Sequence, residues 1–150
     1  MLKHNHIIIR AEVEKPPKDI RFARKWIRKF IKAIDMKMLG QPNSHYVYDK
    51  GNRGLTCLAI LSTSHIALHT WDEVSPALMQ LDVYSCSDLD KKIVFKQIEQ
   101  FEPKEINYVT IDREKDIKID KLVASWEKYN ETRNKIKKKE EQVLLDTYCK

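Results

Sequence analysis

Ser64 has the setting of a nucleophile. It follows the small polar pair Ser62-Thr63, precedes His65, and has His69 further along the same segment. Cys86 ends the next β-prone segment, so antiparallel pairing brings it toward the Ser64 end, and Thr56 lies on the segment before. A hydroxyl attacks only when a neighbouring group takes its proton, and a thiol can serve as nucleophile or acid according to its pKa. Spacing alone leaves a plainer reading open: a serine in a hairpin turn, two half-buried histidines and a core cysteine. Strand alternation sets Ser64 and His69 on opposite faces, which argues against a direct Ser-His pair. The sequence has no G-x-S-x-G elbow and no G-x-G-x-x-G loop.

The five histidines also raise the question of a metal. His65 and His69 have the spacing of helix-borne ligands, yet Ile66, Leu68 and Thr70 between and after them read as strand. On a strand, residues i and i+4 lie about 13 Å apart, too far to share one ion. No H-E-x-x-H or Cys/His cluster is present, so no metal is expected. Cys57, Cys86 and Cys149 are odd in number and irregular in spacing, which fits reduced thiols and neither a disulfide framework nor a zinc site.

These residues need elements to position them. His6 to Val13 alternates as a strand, ended by Pro16-Pro17. Lys18 to Met36 places Ala23, Trp26, Ile27, Phe30, Ile31 and Ile34 at helical spacing under a basic outer face. Strands follow over Lys37 to Asp49, Leu55 to Leu61, His65 to Trp71 and Ala77 to Ser85, with a turn at Lys50 to Gly54. A helix is expected from about Asp90 to Phe101, stopping before Pro103, then a strand from Glu105 to Ile111 and a last helix from Asp120 toward Lys150. The order β-α-β-β-β-β-α-β-α, without regular βαβ alternation, predicts an α+β two-layer sandwich: a mostly antiparallel sheet with helices on one face, plus a C-terminal helical extension. The other face is left to solvent or a partner subunit. Residues 1–115 form the expected domain, and 116–150 its basic extension.

At 150 residues the chain is long enough for one domain with a core of its own. The formal net charge of +6 is concentrated in two expected helix faces, Lys18 to Lys37 and Lys135 to Lys139. Neither interleaves aromatic residues as a single-strand platform does, so a solvated surface is expected over nucleic-acid binding, which a basic tail from Lys135 would otherwise carry. The opening residues lack the apolar core of a secretory leader, and no apolar run approaches the roughly 20 residues of a membrane span. A cytoplasmic location is the expectation.

The run Thr63-Ser64-His65-Ile66-Ala67-Leu68-His69-Thr70-Trp71-Asp72-Glu73, followed by Ser85-Cys86-Ser87, resembles the motifs of the short prokaryotic, pyruvoyl-dependent S-adenosylmethionine decarboxylases: E-S-H-I-S-I-H-T-W-P-E, then a strand ending in T-C-G. The likeness runs from His6 to about Ile111. It implies a proenzyme in which the Ser64 hydroxyl attacks the carbonyl of Thr63, the chain is cut between them, and the serine remnant becomes a pyruvoyl cofactor. His69 and Thr56 match the family's histidine and hydroxyl for proton transfer. Cys86 matches its proton donor in decarboxylation. Tyr46 or Tyr48 would stack on the substrate's adenine, with His65 and Glu73 completing the substrate contacts. The resemblance further implies S-adenosylmethionine as substrate, a role in spermidine synthesis, and a homodimer. The chain departs from the family pattern at Thr63 for glutamate, Ala67 for serine, Asp72 for proline and Ser87 for glycine. Two alternatives stand beside the main expectation: an uncleaved homologue that binds S-adenosylmethionine, and a pyruvoyl enzyme acting on ornithine or arginine.

Overall fold

Alternation and helical periodicity together account for most of the architecture. The computed structural model describes residues 3–115 and 117–122. Strand β1 (Asn5–Val13) turns Ile7, Ile9, Ala11 and Val13 inward, as the period of two requires. Helix α1 (Ile20–Ala33) starts where the Asp19 side chain accepts the Phe22 N–H at 2.7 Å. Its buried stripe is Ala23, Trp26, Ile27, Phe30 and Ile31, the i, i+3, i+4 pattern of an amphipathic helix. Full burial of a side chain such as Ile27 or Phe30 contributes about 1.5–3 kcal/mol. The helix ends in a left-handed turn at Asp35, φ 53°.

Strands β2 (Met38–Val47), β3 (Gly54–Leu61), β4 (Ser64–Trp71) and β5 (Ala77–Ser85) follow, then helix α2 (Lys91–Ile98) with a closing 3₁₀ turn at Glu99–Phe101, and strands β6 (Pro103–Asp112) and β7 (Lys118–Leu122). One seven-stranded sheet results, ordered β2-β3-β4-β5-β1-β6-β7, with every adjacent pair antiparallel. The core lies between one sheet face and the helices. Trp26 joins the two helices by donating its indole N–H to the Gln97 carbonyl at 3.0 Å, and it packs on Phe30 and Phe101. This is the expected two-layer α+β sandwich.

One element differs from expectation. Asp120 to Leu122 is not the start of a helix but the end of β7, paired with β6. Without β7 the far edge of β6 would present unpaired N–H and C=O groups, and edge pairing outweighs the sparse apolar stripe that reads as helical. The rest of the expected helix, 123–150, lies outside the described residues. Among the described residues no helix is long and apolar enough to cross a membrane.

The register fixes what the open sheet face displays. One row of cross-strand partners is His45, Thr56, His69, Gln80, Arg10 and Asn107. The next is Asn43, Leu58, Ala67, Asp82, Ile8 and Val109. The third holds Leu39, Ile60, His65, Tyr84, His6 and Ile111. Leu39, Leu58 and Ile60 stand exposed on this face, Ile60 at 66%.

Candidate active site

The turn between β3 and β4 is as short as a hairpin allows. Leu61 pairs with Ser64, leaving Ser62 and Thr63 to reverse the chain. Thr63 takes φ 63°, in the left-handed region where glycine or asparagine is at ease. A β-branched residue there carries about 1–2 kcal/mol of local strain. The strain sits on the residue whose carbonyl precedes Ser64.

Ser64 is buried, and its Oγ accepts the Cys86 N–H at 3.0 Å and donates to Cys86 Sγ at 3.4 Å. Pairing of β4 with β5, with His65 opposite Tyr84, brings the end of β5 to this turn. Thr63 Oγ1 lies 2.7 Å from the same sulfur and donates to the Ser62 carbonyl at 2.6 Å. Hydrogen bonding with Ser64 and then with Thr63 holds the Cys86 thiol below its ordinary pKa, with burial opposing. Ser85, Ser87 and Met36 brace the turn that presents Cys86: the two hydroxyls are 3.0 Å apart and Ser87 Oγ donates to Met36 Sδ at 3.2 Å.

Beside this turn, on the open face, is a cleft of about 510 Å³ walled by Leu39, Ile60, Thr63, Ser64, His65, Tyr84 and Arg113. Tyr84 is its hub. Its hydroxyl is 2.8 Å from His4 Nδ1, the Arg113 guanidinium lies 4.6 Å over its ring, and His65 and His6 pack against it. His6 Nε2 is 3.5 Å from Asp82 and lacks a hydrogen-bond partner. Burial lowers the His6 pKa, with Asp82 partly offsetting it.

Two further groups lie elsewhere. Thr56 Oγ1 is 3.0 Å from His69 Nδ1, a contact that follows from their being cross-strand partners. His69 is about 16 Å along β4 from Ser64 and faces the opposite way. At the far end of the sheet the buried Asp72 carboxylate accepts from the Tyr46 hydroxyl at 2.8 Å and from Arg53 Nε at 3.2 Å, with Lys18 Nζ at 3.4 Å. Burial pushes the Asp72 pKa up, but those partners outweigh it and hold it below the usual carboxylate range. Tyr48 packs on Tyr46 at 4.8 Å between ring centroids and is 80% exposed, and Glu73 accepts the Gly51 N–H at 2.9 Å.

Within the chain, then, Thr63, Ser64, His65 and Cys86 share a site, whereas Thr56 and His69 form a second and Tyr46, Tyr48 and Glu73 lie near a third. The aromatic residue at Ser64 is Tyr84, joined by Arg113, and neither belongs to the residues that the motif singles out. Tyr84 does carry a signal in the sequence, standing two residues before Cys86 on a clear strand. Arg113 follows β6 in a loop, and no local pattern marks it. Among the described residues no cluster of three or more His, Cys, Asp or Glu side chains could hold a metal ion.

The S-adenosylmethionine decarboxylase family model matches residues 6–114. An S-adenosylmethionine decarboxylase proenzyme of Archaeoglobus fulgidus is 29% identical over 117 residues, 75% of this chain and 99% of that one. A proenzyme of the same description from Aquifex aeolicus is 36% identical over 77 residues, 50% of this chain and 55% of the relative. The crystal structure of the adenosylmethionine decarboxylase from Aquifex aeolicus superposes with a TM-score of 0.61 at 21% identity, covering 82% of this chain and 98% of that one, a likeness of fold.

Proposed function

The chain belongs to the S-adenosylmethionine decarboxylase family, and on that premise we propose that it cuts itself between Thr63 and Ser64 and decarboxylates S-adenosylmethionine. One observation carries this reading. A peptide bond preceded by a left-handed threonine joins a serine whose Oγ is already hydrogen-bonded to Cys86, beside an open cleft.

Self-cleavage uses the chain's own atoms. Ser64 Oγ attacks the Thr63 carbonyl carbon, the Thr63–Ser64 C–N bond breaks, and an ester replaces the amide. Release of the turn strain favours this step. Removal of the Ser64 Cα proton then expels Oγ from Cβ, and Thr63 leaves as a carboxylate that keeps this oxygen. The dehydroalanine left at position 64 takes up water and loses ammonia, which yields the pyruvoyl group.

The residues fit that group, since position 64 lies in the wall of the cleft and Cys86 touches it. When present, the pyruvoyl carbonyl supplies the electron sink for loss of CO₂. Cys86 Sγ holds the proton delivered to the substrate's α-carbon. Its depressed pKa owes most to the Ser64 hydroxyl, which processing removes, so the thiol of the cut protein keeps its proton better. Tyr84 lines the cleft with Arg113 already over one ring face, and its remaining ring surface would meet the adenine.

Short family members form dimers, and pairing across the open face suits this chain. That face carries exposed Leu39, Leu58 and Ile60. A two-fold axis through the row of Ala67 exchanges the row of His69 with the row of His65. Thr56 and His69 of the partner subunit would then lie over the row of His65, beside the cleft that Ser64 lines. The product is an aminopropyl donor for spermidine synthesis.

The test is CO₂ release from S-adenosylmethionine, ornithine and arginine side by side, with Ser64→Ala as control. Release from S-adenosylmethionine, absent in Ser64→Ala, supports the proposal. Release only from ornithine or arginine, or none from any, refutes it.

A further inference from the structure

Thr63 is the departure from the family pattern nearest to the chemistry, and its side chain is not idle. We propose that the Thr63 hydroxyl is a positioning group that clamps the Cys86 thiol against the Ser64 hydroxyl before the chain is cut, and that the cut releases the clamp. The proposal rests on the reading of Thr63–Ser64 as the cleavage point.

The polar atoms form a connected set. The Cys86 N–H donates to Ser64 Oγ at 3.0 Å, and Ser64 Oγ donates to Cys86 Sγ at 3.4 Å. Cys86 Sγ meets Thr63 Oγ1 at 2.7 Å, and Thr63 Oγ1 donates to the Ser62 carbonyl at 2.6 Å. Thr63 thus contacts the same sulfur as Ser64, while its β-branch restricts χ1 and fixes the hydroxyl. The neutral thiol can donate to Thr63 Oγ1 while that hydroxyl donates to the Ser62 carbonyl, whereas a thiolate takes the Thr63 proton only if the Ser62 bond is given up. A glutamate at 63 is longer, and its carboxylate would oppose thiolate formation instead of stabilising it. The clamp as described therefore needs the hydroxyl of Thr63 and not the family pattern's glutamate.

Its release follows from the bond broken. After the cut, Thr63 is a chain end bearing a new carboxylate, and the Ser64 oxygen has left with it. The thiol loses its Ser64 donor and gains a neighbouring negative charge, and both changes favour the protonated sulfur that decarboxylation requires. The depressed thiol pKa of the uncut chain is consistent with this, since Ser64 and then Thr63 are its two lowering causes.

The experiment has two arms. In a Ser64→Ala background, which keeps the chain whole, the alkylation rate of Cys86 is followed against pH by mass spectrometry of its peptide, with Thr63, Thr63→Val or Thr63→Ser. Thr63→Val preserves the β-branched shape and removes the hydroxyl. It should raise the alkylation midpoint by about 0.5–1 pH unit, and Thr63→Ser should leave it within about 0.2 unit. In the cleavable background, Thr63→Val should slow self-cleavage about tenfold and Thr63→Ser should restore it. An unmoved midpoint in Thr63→Val overturns the proposal, and so does a moved midpoint with an unchanged cleavage rate. Should the parent chain fail to cleave, the cleavage reading falls, while the first arm still decides whether Thr63 holds Cys86.

Discussion

His69 and Ser64 share β4 yet cannot meet within one subunit, and this makes a sharp prediction about which chain does what. They are five positions apart on a strand that rises about 3.3 Å per residue, so about 16 Å separates them, against the roughly 3 Å over which a proton is exchanged. Their side chains leave opposite faces of the sheet, so a His69 from across the open face must reach Ser64 through the cleft beside the β3–β4 turn. If His69 assists cleavage, it acts on the partner subunit's Ser64. Two chains with different affinity tags, Ser64→Ala and His69→Ala, are coexpressed, and the mixed dimer is isolated by tandem purification. Alone, Ser64→Ala is not cut, and His69→Ala is cut at least about 100-fold slower than wild type, the usual loss for a general base. In the mixed dimer, the His69→Ala chain retains Ser64 and faces an intact His69. Its cleavage should recover to within about threefold of wild type, whereas the Ser64→Ala chain stays whole. Cleavage in the mixed dimer no faster than in the His69→Ala homodimer would refute the two-subunit site.

Three predictions concern what holds the site in place. A Cβ on Gly54 would lie 1.7 Å from the Thr70 carbonyl oxygen, so Gly54→Ala forces β3 and β4 apart. A drop in stability of about 3 kcal/mol or more is expected in urea unfolding, and a loss below 1 kcal/mol would mean the strands yield easily. Asp72 is buried among Tyr46, Arg53 and Lys18 with a pKa below the carboxylate norm, so its contribution is present above pH about 4 and fades as pH falls through the lower folded-state value. Asp72→Asn should lower Tm at neutral pH and flatten the acid limb, and an unchanged limb would show that Asp72 is not its source. His6 has a folded pKa below its unfolded value of about 6.5, so stability is full above that pH and declines as pH falls and the buried ring must charge. His6→Gln should remove this decline from thermal melts between pH 7 and 5, and persistence of the decline would assign it elsewhere.

Much of this was legible from the residues because two periodicities are strong. The apolar stripe of α1 from Ala23 to Ile34 is buried throughout, and alternation located β1, β4 and β5 to within a residue or two. Antiparallel order alone was enough to bring Cys86 toward Ser64. The site's other features depend on register and loops. That His69 meets Thr56 requires knowing that these two are paired, and neither residue announces its partner. Tyr46 reads as an available aromatic ring, yet its hydroxyl is bound by Asp72, a residue that on the sequence figured only as a substitute for proline. Arg113 enters the cleft from beyond β6, where no repeat or motif points to it. Residues Asp120 to Leu122 became strand because β6 had an edge to pair, a tertiary demand that local spacing does not display.

The proposed chemistry begins with Ser64 itself breaking the Thr63–Ser64 bond. Intact-mass measurement of the purified protein under denaturing conditions tests this most directly. Two fragments are expected, one ending in a Thr63 carboxylate and one beginning at position 64 with a borohydride-reducible keto group, and a single uncut chain for Ser64→Ala. A single chain for the wild type after prolonged incubation, with Ser64 still in amide linkage to Thr63, would contradict it.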